Sequence, residues 1–74
     1  MKKTELTLEQ IEICEQGFSQ ACDSGYITPN SSRKEIDVNI YEILEFACDE
    51  VDVAFRDDDA LDAAVDYIFD NCCN

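Results

Sequence analysis

From Ile36 to Phe55 the apolar residues Ile36, Ile40, Ile43, Leu44, Ala47, Val51, Ala54 and Phe55 recur with a period near 3.6, the repeat that lines one stripe of an α-helix. No other feature limits the chain as strongly. A sheet would need alternation, which lasts only from Ile36 to Ile40. Two further stripes flank this one. Leu8, Ile11, Cys14, Phe18, Ala21 and Cys22 precede it, and Leu61, Ala64, Val65, Ile68 and Cys72 follow, with Phe69 at their edge. Each apolar face must be covered by another element.

The punctuation agrees with this pattern. Thr7 with Gln10 and Ser32 with Glu35 have the spacing of capping boxes, although Asp37 competes as a cap. Gly25 stands where a helix stop belongs, and Thr28-Pro29-Asn30 continues the break. Gly17 lies inside the first stripe, where glycine costs about 1 kcal/mol relative to alanine. In the run Arg56-Asp57-Asp58-Asp59, one aspartate is expected to cap the third helix and the others to fill its first turn. These signals predict an all-α fold, a small three-helix bundle with helices over about 7–23, 32–55 and 58–71. The single acidic domain spans 1–74, with its one real loop at 25–31.

The net charge of -13 is unevenly placed. Residues 1–34 hold five acidic and four basic groups, a net of -1; residues 35–70 hold thirteen acidic groups and Arg56, a net of -12. Glu42, Glu45, Asp49 and Asp52 step by three and four, which predicts one ridge on the second helix. Asp59, Asp62, Asp66 and Asp70 predict another on the third, with Asp58 beside it and Tyr67 next to it. Tyr26 and Tyr41 are further aromatic candidates for contact area. Like charges four apart destabilise a helix by about 0.2–0.5 kcal/mol per pair, and Asp66 and Asp70 fall late in the third helix, where the dipole disfavours anions. Solubility alone asks for a charge of about 2–8 in magnitude. The expected partner-binding set is therefore Glu42, Glu45, Asp49, Asp52, Asp58, Asp59, Asp62, Asp66, Asp70 and Tyr67.

This charge excludes direct nucleic-acid binding and favours a partner with a basic, nucleic-acid-binding surface. No apolar run approaches the length of a membrane span, and the amino terminus has no signal-peptide pattern, so a cytoplasmic location is expected. There the five cysteines stay reduced, with Cys14 and Cys22 on the apolar face and Cys48 beside one. The acidic field should raise the thiol pKa values. With no histidine, no Cys-x-x-Cys and no glycine-rich phosphate loop, neither a metal, a cofactor nor catalysis is expected. Asp57-Asp58-Asp59 lacks the alternation and central glycine of a calcium loop. An acyl carrier protein would need Asp-Ser-Leu opening the second helix, whereas this chain has Asp23-Ser24-Gly25 closing the first.

In size, helical pattern and ordered acidity, the whole chain resembles the small DNA-mimic proteins that phages make to block host restriction or CRISPR surveillance. The resemblance implies a compact, stoichiometric inhibitor, often dimeric, that competes for the nucleic-acid path in the host cytoplasm. The nearly neutral first helix would be the dimer face. The alternative is an acidic helical interaction module, such as an adaptor, an antitoxin-like partner or a regulator, that docks on a basic protein without mimicry.

Overall fold

The computed structural model describes residues 5–73. Lys2 and Lys3, which bring the amino-terminal half close to neutrality, lie outside the described residues. Helix α1 runs Leu8–Asp23 and opens on a complete capping box: Thr7 Oγ1 accepts from the Gln10 N–H, and Gln10 Oε1 accepts from the Thr7 N–H. It closes on Gly25 at φ 77°, with the Gly25 N–H donating to the Cys22 carbonyl and the Tyr26 N–H to the Ala21 carbonyl. This pair of bonds is a Schellman stop, and the left-handed residue in it suits glycine. Thr28 to Ser31 then form a turn in which the buried Ser31 hydroxyl accepts from the Thr28 N–H, at 3.1 Å.

The three-helix bundle is not what forms. The stretch expected as one helix over 32–55 is three short ones: α2 (Arg33–Val38), α3 (Ile40–Glu45) and α4 (Val51–Ala54). The first break is local in origin. Asn39 leaves helical geometry at φ -109° and ψ 13°, and its side-chain amide donates to the Glu35 carbonyl at 2.9 Å, a contact that competes with the backbone ladder. The second break, over 46–50, answers to tertiary geometry. An unbroken helix over 32–55 would be about 36 Å long, against about 24 Å for α1, so its final turns would have no partner for their apolar face. Ending α3 at Glu45 turns the chain back and places Val51 and Phe55 in the core. Phe46, at the break, packs edge-on against Tyr26 with ring centroids 6.1 Å apart.

The third predicted helix is α5 (Asp58–Tyr67), continued by a π turn at Ile68–Cys72. Asp57 takes the cap position without a side-chain cap bond, while Asp58 and Asp59 occupy the first turn. Beyond Tyr67, the Cys73 N–H reaches the Ile68 carbonyl, and the Asn71 amide occupies the Tyr67 carbonyl. The core nevertheless keeps most of the predicted stripes: Cys14, Phe18 and Ala21 from α1, Ile36, Ile40, Ile43 and Leu44 from α2 and α3, then Val51, Phe55, Ala64, Val65 and Ile68. Leu8 is the exception at 82% exposed. The breaks change the chain's direction without exchanging its buried side chains for exposed ones.

Helix α1 packs on α3, on α5 and on the π turn. At its crossing with α3, Gly17 is buried, and a Cβ there would overlap the Ile43 carbonyl oxygen and lie 3.2 Å from the carbonyl carbon. The glycine costs helix propensity but lets two backbones touch. Gln10 makes a second tie: its Nε2 donates to the Ala54 carbonyl at 2.8 Å, satisfying a group at the end of α4.

Each of these contacts gives an expectation for stability. Gly17→Ala should lower stability by about 2 kcal/mol despite its better helix propensity, because overpacking against a rigid backbone outweighs it; urea denaturation that finds the variant more stable would refute the crossing. Gln10→Glu keeps the capping acceptor but removes the donor to Ala54. It should cost about 1 kcal/mol, and a neutral result would show that the tie to α4 contributes nothing.

Candidate functional site

Tyr41 is where the acidic elements meet. It projects from α3 at 43% exposure, and two open depressions in the surface share it. On one side stand Glu45, Asp49, Glu50 and Asp52; on the other stand Asp37, Asp58, Asp59 and Asp62. Among the described residues, no lysine or arginine lines either depression. The break after Glu45 folds α4 back so that Asp52 comes beside Tyr41, and the first turn of α5 supplies Asp58 and Asp59, where the macrodipole favours anions. Partial burial, then Asp52 and then Asp58 push the Tyr41 phenol above its ordinary range. It therefore stays a neutral donor among carboxylates.

The ten residues expected to form two parallel ridges do not form them. Glu45, Asp49, Asp52, Asp58, Asp59 and Asp62 gather around Tyr41. Asp66, Tyr67 and Asp70 line a different depression, with Leu6, Ile11 and Ala63. Glu42 is exposed on α3 and lines neither. The first ridge is lost because Asp49 lies in the break and Asp52 on a separate helix. The second is divided by a cation from the same chain. The Arg33 guanidinium, at the start of α2, donates to Asp66 Oδ1 through Nε at 2.9 Å and Nη2 at 2.5 Å, and approaches Asp62 at 3.4 Å. Asp66 is thus a structural partner, with its side chain 26% exposed. Tyr67 is likewise engaged within the chain: its hydroxyl donates to the Glu15 carboxylate at 2.5 Å.

Sequence reasoning passed over Asp37 and Glu50, and also Val38 and Val53, which are 66% and 62% exposed within the same depressions. One signal was available: both valines fall off the 3.6-residue stripe, and each directly follows an aspartate.

All five cysteines are free. Burial first, then Cys72 and Glu15, push Cys14 up to about 12, and burial first, then Glu15, pushes Cys72 up to about 11. The direction is the one expected from the acidic field, with desolvation the larger cause. Among the described residues, no group of three or more His, Cys, Asp or Glu side chains could hold a metal ion, and no helix is long and apolar enough to cross a membrane. Comparison with protein families, curated proteins and solved structures finds no match for this chain.

The raised pKa values set an alkaline limit on stability. The hydrogen bond to Glu15, then burial, lift Tyr67 to about 12. In the folded chain Cys14, Cys72 and Tyr67 keep their protons above the ordinary 9.0 of a thiol and 10.0 of a phenol. Their contribution is complete below pH 9 and is lost as pH rises to about 12. Urea midpoints measured under reductant should therefore fall between pH 9 and 12, and Tyr67→Phe should flatten the part above 10. A midpoint constant across this range would contradict the assignment.

Proposed function

We propose that this chain is a stoichiometric inhibitor that covers the basic, nucleic-acid-binding surface of a target protein or complex, its acidic face standing where nucleic acid would lie. The observation that carries this reading is the convergence on Tyr41 of carboxylates from α2, α3, α4, α5 and the 46–50 connection, with no lysine or arginine among the described residues lining their depressions. Such a face is a source of mutual repulsion in the free molecule, relieved when a cationic surface docks on it. The overall charge of -13 extends the attraction beyond contact and speeds encounter, within a screening length of about 8 Å at physiological salt. A phage counter-defence role, against restriction or CRISPR surveillance in the host cytoplasm, is the specific form of this proposal. A second reading, an acidic docking module without mimicry, is favoured by Val38 and Val53, because phosphate imitation has no use for exposed valines.

The test begins with recovery of a target by affinity capture, followed by competition with that target's DNA or RNA. Neutralising Asp52, Asp58 and Asp59 together to asparagine should weaken binding at least about tenfold, or about 1.4 kcal/mol, with the fold retained by circular dichroism. Asp62 and Asp66 are left intact because Arg33 depends on them. Association should slow steeply between about 50 and 300 mM salt. A saturated target that still binds its nucleic acid normally would eliminate mimicry, and unchanged affinity in the triple variant would eliminate the face.

A further inference from the structure

Val53 and Tyr41 each belong to two neighbouring depressions, and this sharing joins three of them into one track. Val53 lines the first with Ile13 and Cys48, and the second with Tyr41. Tyr41 then lines the third with Val38 and Leu61. Apolar side chains along the track are open to solvent: Val38 is 66% exposed, Val53 62% and Tyr41 43%. Acidic side chains line all three depressions beside them, from Glu9 and Glu50 at one end to Asp58 and Asp62 at the other, and among the described residues no lysine or arginine does.

We infer that this track is a docking groove for a basic amphipathic helix of a partner protein, with the helix's apolar side on Val53, Tyr41 and Val38 and its lysines and arginines on the carboxylates that line the same depressions. The inference rests on the acidic-face reading above and adds the chemistry of the partner. A purely cationic ligand would pair the carboxylates and leave the valines wet. A purely apolar one would desolvate the carboxylates without pairing them. Only a ligand carrying both, with basic residues flanking the apolar stripe of one element, uses the whole track. A helix fits better than an extended segment because the described residues include no strand, and so no sheet edge for a peptide to extend. The longest dimension of the molecule is 31 Å, which limits the docked helix to about 20 residues at about 1.5 Å per residue.

The probe is a synthetic lysine–leucine peptide of about 18 residues with one apolar face, compared with a scrambled peptide of identical composition that has none. Both are titrated into the full chain at about 150 mM salt. The amphipathic peptide is expected to bind at least tenfold tighter than the scramble, and Val38→Ser with Val53→Ser to remove most of that difference while leaving the scramble's affinity unchanged. Both valines are exposed, so the double variant should keep its circular dichroism and melting temperature. Val38→Lys provides a second test on one position, with an expected loss of at least tenfold. Equal binding of the two peptides, or indifference to the valine substitutions, overturns the groove while leaving the acidic face standing. Failure of either peptide to bind at any salt overturns both.

Discussion

Where α1 crosses α3, the backbone of Ile43 and Leu44 occupies the space that a side chain at position 17 would need. This approach is the contact on which the arrangement of the chain depends. It brings Cys14, Phe18 and Ala21 against Ile40, Ile43 and Leu44, and so builds the centre of a core that a domain of 74 residues can barely afford. With α3 held there, the chain after Glu45 has no continuous surface to follow. It turns back, lays Val51 and Phe55 on the same core, and is tied to the start of α1 through Gln10 and the Ala54 carbonyl. Helix α5 and its π turn then close the remaining side of α1.

The acidic face is a consequence of that turning back. In a straight helix, Glu42, Glu45, Asp49 and Asp52 would lie in a row far from the aspartates of α5. Broken and refolded, Asp52 meets Tyr41 from one side while Asp58 and Asp59 meet it from the other. Helices α3, α4 and α5 contain no lysine or arginine, so their carboxylates are not offset along their own helices. The one guanidinium that reaches across, Arg33, is spent on Asp66 and Asp62 and joins α2 to α5. Charge in this chain therefore has two parts. Asp66 is architectural, half-buried and paired, whereas the group around Tyr41 is exposed and shares its surface with valines.

The capping boxes at Thr7 and Ser32 and the glycine stop at Gly25 were legible in the sequence because each is made by residues within four positions of one another. The buried set was legible for a similar reason: the 3.6-residue period survives in Ile36, Ile40, Ile43, Leu44, Val51 and Phe55 even though the helix does not. The break at 46–50 was not legible, because it answers to the length of α1 and not to any helix-breaking residue. The same applies to Gly17, which reads as a weak point in a helix until its neighbour across the crossing is known. For the site, the sequence pointed to acidic residues of the second half, but it chose Tyr67 as their companion. Tyr67 is bound to Glu15 of α1, a contact between residues 52 positions apart that no local pattern reveals.

By itself, then, the sequence determined that this is a helical chain with apolar stripes and an acidic carboxy-terminal half, since periodicity, caps and charge are properties of near neighbours. Only the tertiary structure decided how many helices there are, which aspartates are neutralised by Arg33, and which carboxylates and valines share a face with Tyr41. Those outcomes depend on where one helix ends relative to another and on what lies across a crossing. Side chains distant in the chain are brought together there by packing that no single helix can specify.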